Sequence, residues 1–151
     1  MGSSLATSSK SSRSSEHTLR RRVQFYELDS AGIVHFSTYF RYMEEAEHAL
    51  WRAAGLSIAP KGATVGFPRV SSSFDYRAPL RFEDEVDITI RVAAMSAKSI
   101  RYTCVIRRGD TVAALGTMTI VCVRTDVEPL KAVAIPDDVA SCFEVAGDPD
   151  A

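Results

Sequence analysis

Asp29 is the residue whose type and position hold most chemical promise. It sits in the loop Asp29-Ser30-Ala31-Gly32, between a strand-like run and the start of a helix. The first turn of a helix leaves N–H groups unpaired and carries the positive end of the helix dipole. A carboxylate a few residues upstream therefore either holds the turn or serves a reaction beside those donors, and local chemistry leaves both readings open. The other patterns are weaker. Gly55-Leu56-Ser57-Ile58-Ala59 resembles the elbow of an activated serine with Ala in the last Gly position, but an elbow needs a strand before it and a helix after it. This one follows a helix, and Ser57 reads as a loop residue. No glycine-rich phosphate loop and no HExxH pair occurs. His17, His35 and His48 lack metal-pair spacing, and Cys104, Cys122 and Cys142 are an odd number with no CxxC. No metal site is expected, and the thiols read as idle.

The elements that must position Asp29 follow from periodicity. Leu19, Arg21, Val23 and Phe25 alternate with Arg20, Arg22 and Gln24, which predicts a first strand over Leu19–Phe25. From Ser37 to Ala54, Tyr39, Met43, Ala46, Leu50 and Ala53 recur at three- and four-residue steps, giving one apolar stripe on a long helix. Glu44, Glu45, His48 and Arg52 fall on its other side. Ser37 or Thr38 is the expected N-terminal cap, and Gly55 the stop. Strands are expected over Phe67–Arg77, Glu85–Met95, Ser99–Arg108 and Thr111–Arg124, the last three as an antiparallel meander. A short helix is expected from about Pro136-Asp137-Asp138. The sum is an α+β chain whose helix needs a sheet to wrap it.

Composition sets the outer limits. The chain has 151 residues, 46% hydrophobic and 25% charged, with 18 Lys+Arg against 19 Asp+Glu, which suits one globular domain. A formal net charge of −1 gives no general attraction to phosphate backbones, so no nucleic-acid partner is expected. No apolar run is long enough for a bilayer, and no apolar leader opens the chain, so a cytoplasmic protein without membrane association is expected. Residues 1–18 are rich in Ser and poor in apolar side chains, and are expected to be a disordered tail ahead of a single domain over 19–145.

The segment Phe25-Tyr26-Glu27-Leu28-Asp29-Ser30-Ala31-Gly32-Ile33-Val34-His35-Phe36-Ser37-Thr38-Tyr39 resembles the start of the hotdog-fold thioesterases of the 4-hydroxybenzoyl-CoA thioesterase type. Further matches run through Val70–Val86, Lys98-Ser99-Ile100, Gly116-Thr117 and Leu130–Pro136, so that the resemblance spans about Val23 to Cys142. It implies a hotdog fold, a five-stranded antiparallel sheet wrapped around one long helix, assembled as a homodimer or homotetramer with sites at subunit interfaces. It implies an acyl-CoA thioesterase with no cofactor, since CoA belongs to the substrate. The family's catalytic carboxylate falls on Asp29, as general base or nucleophile. The N–H that polarises the thioester oxygen falls on Phe36, where a helix start offers free donors. Many relatives carry Tyr then His where this chain has His35 then Phe36, and His35 is either a catalytic participant or a packed or interface histidine. Lys98, Ser99 and Lys131 fall where the family holds the nucleotide phosphates, with Arg101 as a possible addition. Phe67, Phe74 and Tyr76 either line an acyl pocket or pack the sheet. The alternatives to hydrolysis are a hotdog dehydratase and an acyl-CoA-binding module without turnover.

Overall fold

The computed structural model describes residues 13–147. In chain order the elements are β1 (Glu16–Arg22), a 3-10 turn (Phe25–Glu27), α1 (Thr38–Ala53), β2 (Val65–Gly66) and β3 (Arg69–Tyr76). They continue with β4 (Glu85–Met95), β5 (Ser99–Arg108), β6 (Thr111–Val121), β7 (Val123–Arg124), β8 (Lys131–Ala132) and α2 (Asp137–Ala140). Five strands form an antiparallel sheet in the order β1-β4-β5-β6-β3, wrapped around α1, which is the hotdog arrangement. β2, β7 and β8 form a second, small sheet.

Alternation decides which face of the sheet meets the helix. On β4, Val86, Ile88, Ile90 and Val92 are buried while Asp87, Thr89, Arg91 and Ala93 between them are less so. Ile100, Tyr102, Cys104 and Ile106 on β5 do the same. Burying each large apolar side chain contributes roughly 1.5–3 kcal/mol, so this face fixes the register of the whole meander. Helix α1 presents Tyr39, Met43, Ala46 and Leu50 to it, as the stripe predicts, and also Tyr42, Glu47, Ala49 and Trp51. The sheet curls far enough around the helix to cover more than one stripe, while Ala53, expected on the stripe, lies exposed past the sheet's reach. The helix ends as expected: Gly55 takes φ +81, its N–H bonds the Arg52 carbonyl and the Leu56 N–H bonds the Trp51 carbonyl.

The structure corrects several expectations. β1 covers Glu16–Arg22 rather than Leu19–Phe25, because pairing with β4 orders its backbone from Glu16↔Arg91 onward without apolar side chains. Residues 14–18, expected in the tail, are packed instead: the Ser14 N–H bonds the Cys142 carbonyl and β1 opens at Glu16. The packed chain also runs past 145, where the Ala146 N–H bonds the Val92 carbonyl. Tail residues 1–12 lie outside the described residues. The expected strand Thr111–Arg124 is two strands in different sheets, separated at Cys122, whose N–H bonds the Lys98 carbonyl. Ser37 makes no side-chain cap, because its hydroxyl is engaged with His35 Nδ1 at 2.8 Å. No helix among the described residues is long and apolar enough to cross a membrane.

Candidate active site

The chain between β1 and α1 folds back on itself. The Asp29 N–H bonds the Ile33 carbonyl at 2.7 Å, Leu28 bridges Val34, and the His35 N–H bonds the Glu27 carbonyl at 2.8 Å. Gly32, at φ +80, allows the reversal. At the tip, Asp29 Oδ1 accepts from the Ala31 N–H at 2.8 Å and the Ile33 N–H at 3.4 Å. No described residue donates to Oδ2. One carboxylate oxygen of Asp29 thus organises the turn, as the first of its two readings expects.

That cleft has a volume of about 420 Å³. Asp29 and Phe36 line it together with Tyr39, Tyr76 and Arg77, and Ile33, Val34, Ala78 and Pro79 complete an apolar wall. Phe36 lies two residues before α1. Its neighbours' N–H groups are taken, Ser37's by His35 Nδ1 and Thr38's by the His35 carbonyl, whereas the Phe36 N–H has no acceptor among the described residues. The Tyr76 hydroxyl donates to the Phe36 carbonyl at 2.8 Å, tying the helix start to β3. Tyr76 also meets Tyr39 edge to face at 4.9 Å. Burial pushes the Tyr39 phenol above its usual value, and Tyr76 and the Asp29 carboxylate nearby add to the rise. The arrangement brings Asp29 and Phe36, a residue whose N–H has no acceptor among the described residues, to one largely apolar cleft just before a helix start, and a carboxylate with such a donor suits a carbonyl that gains negative charge during attack.

His35 is not on this cleft. Its ring is held by Ser37 and stacks on the Phe36 ring at 4.6 Å. Of the aromatic candidates, Tyr76 lines the cleft, Phe74 packs between Tyr39 and Phe40, and Phe67 packs on Trp51. Lys98 lies in the β4–β5 turn and Ser99 opens β5, and Ser96 Oγ accepts the N–H groups of both. The segment after Lys131 lies close by, with the Ile135 N–H on the Ala97 carbonyl. Tyr76 pairs with Ala114, and Ser99 with Val121, on the same strand β6. Those seven residues place the Lys98 turn about 23 Å along the sheet from the cleft rim. Within one chain the phosphate-binding candidates and Asp29 are therefore not brought together. Arg101 shares their end of β5.

Two buried acids went unrecognised in the sequence. Glu47 is fully buried on α1, bonded to Arg69 and facing Tyr102, and its Oε2 has no partner among the described residues. Glu27 is nearly as buried, held by Arg21 and by Tyr42. The signal for Glu27 was Arg21, which alternation puts on the apolar face of β1, where a cation requires a buried anion. Nothing in the pattern of α1 marks Glu47, which looks like one more exposed acid.

A family model described as the thioesterase-like superfamily matches residues 23–143. The chain belongs to that superfamily, and its class is that of a thioester hydrolase. A protein of Aquifex aeolicus, named provisionally as an esterase, is 32% identical over 122 residues, covering 80% of this chain and 91% of its own length. The 1,4-dihydroxy-2-naphthoyl-CoA hydrolase of Prochlorococcus marinus is 31% identical over 101 residues, 61% of this chain and 67% of its own length. A crystal structure of a hypothetical protein from Aquifex aeolicus superposes with a TM-score of 0.79 at 28% identity, covering 85% of this chain and 99% of that one.

Proposed function

We propose that this protein hydrolyses an acyl-CoA thioester to a free acid and CoA, with Asp29 and the Phe36 N–H as its working groups. The observation that carries the reading is that Asp29 and Phe36 line one cleft just before the start of α1. Relatives named as CoA thioester hydrolases support CoA as the leaving group. The thioester oxygen sits on the Phe36 N–H, which stabilises the charge that gathers there as the carbonyl is attacked; one such donor is typically worth about 3 kcal/mol. Asp29 either takes a proton from the attacking water or attacks the carbonyl itself, to be freed by water afterwards. In both courses the carbon–sulfur bond breaks and the sulfur leaves as CoA thiolate. Lys98, Ser99 and Lys131 hold the nucleotide phosphates, and their distance from Asp29 along the sheet supports a homodimer or homotetramer in which one copy's phosphate site serves its partner's cleft.

The test is CoA release followed by chromatography across a panel of aromatic and aliphatic acyl-CoAs, in the wild type and in Asp29→Asn. Release that depends on Asp29 is expected. No release from any thioester, with saturable CoA binding retained, would instead identify an acyl-CoA-binding module.

A further inference from the structure

We infer that Glu27 is a positioning residue that sets the distance between Asp29 and the Phe36 N–H. The inference rests on the thioesterase reading of the cleft. The segment 25–36 carries both working groups, yet most of it is solvent-facing: Phe25 and Tyr26 are 71% and 80% exposed, and Phe36 is 63% exposed. Only Glu27 and Val34 in it are buried. Val34 is fixed by apolar contact and by its N–H on the Leu80 carbonyl. Glu27 is fixed by directional bonds from three different parts of the chain.

Its carboxylate accepts from Arg21 of β1 at 2.8 Å, from the Tyr42 hydroxyl of α1 at 2.7 Å and from the Gln24 N–H at 2.8 Å. Bonds to an ionised acceptor are roughly twice as strong as neutral ones, and these converge on a group that water hardly reaches. Arg21 is held in turn by Glu45 at 2.9 Å and lies over the Tyr42 ring at 4.5 Å, so the cation cannot follow if Glu27 moves. The main chain of the same residue then passes this rigidity to the cleft. The Glu27 carbonyl takes the His35 N–H at 2.8 Å, the residue just before Phe36, and Asp29 lies two residues after Glu27. The Glu27 side chain thus locks β1 to α1, while its backbone holds both limbs of the Asp29 loop. A residue so placed touches no substrate and acts through the geometry of two groups that do.

The test compares wild type, Glu27→Ala, Glu27→Gln, Tyr42→Phe and Asp29→Asn as full chains, on whichever thioester of the panel the wild type turns over. Glu27→Ala is expected to lower kcat by on the order of 10- to 100-fold, the scale of small misplacements at a reacting centre, with KM changed less than about twofold. Glu27→Gln keeps an acceptor for Tyr42 and Gln24 and is expected to recover most of that loss. Hydrogen exchange of the Asp29 and His35 amides is expected to speed up in Glu27→Ala while β4 and β5 stay protected. If Glu27→Ala fails to fold, Tyr42→Phe removes one bond from the anchor and is expected to give a smaller loss in kcat with the same unchanged KM. Wild-type kcat and unchanged loop exchange in these variants, beside an inactive Asp29→Asn, would overturn the role of Glu27 and leave the thioesterase reading standing. An Asp29→Asn as active as wild type would overturn that reading itself, and the exchange of the loop amides would still report whether Glu27 holds them.

Discussion

Asp29 holds its turn through one carboxylate oxygen, and the catalytic role proposed for it makes its substitution informative. Asn at position 29 retains an oxygen to accept the Ala31 and Ile33 N–H groups but cannot take a proton or form an acyl bond. Asp29→Asn is therefore expected to fold with nearly unchanged stability and CoA affinity and to lose on the order of 10²–10⁴ in kcat, measured by CoA release. His35 gives the opposite expectation. Its ring is engaged with Ser37 and stacked on Phe36, away from the cleft lining. His35→Ala is expected to change kcat by less than about tenfold, below the range of a general acid or base. A larger loss, with KM unchanged, would return the histidine to the reaction.

Among the elements, β3 and α1 decide how the cleft wall is built. Phe74 of β3 crosses over Gly116 of β6, where an added Cβ would meet the ring at 2.6 Å. The same ring wedges against Tyr39 and Phe40 of α1, so it has little room to retreat. Gly116→Ala is expected to cost about 1–3 kcal/mol of stability, read from urea unfolding. Helix α1 carries a second cost in Glu47. Burial holds this carboxyl above its usual value although Arg69 and Tyr102 pull the other way. Because the folded value lies above the unfolded one, the contribution of Glu47 is fully present below its ordinary value of 4.5 and is lost as pH rises through the raised value. Glu47→Gln keeps a neutral group at every pH. Its stability relative to wild type is expected to improve as the pH rises from about 4 to about 8, and a difference that stays flat over that range would contradict the sign.

For the molecule as a whole, the groups proposed to bind the two ends of the substrate lie far apart in one chain. The Lys98 turn lies about 23 Å along β6 from the Tyr76 rim of the cleft, and among the described residues β3 is an edge strand of the five-stranded sheet. A shared site predicts complementation. Asp29→Asn mixed and refolded with Lys98→Glu/Lys131→Glu is expected to regain turnover above the sum of the two alone, in a species that sediments as a dimer or larger. Mixtures no more active than their parts would place all the binding groups of a site within one chain.

The sequence by itself determined the strands and helix whose apolar spacing is regular. Glu85–Met95 and Ser99–Arg108 form strands with the bounds the alternation predicts, and α1 lies within one residue of its expected limits. The loop of Asp29 and a helix start at about Ser37 were also legible, because turn chemistry and helix periodicity act over a few residues, whereas Phe36 was singled out only by the resemblance. What the tertiary structure decided depends on partners distant in the chain. β1 begins at Glu16 because β4 supplies its hydrogen bonds, and Thr111–Arg124 divides because Cys122 turns toward Lys98. Glu27 and Glu47 are buried because Arg21 and Arg69 meet them there. Apolar periodicity records only which face is hidden, and the pairing of a hidden charge is settled when elements far apart in sequence come into contact.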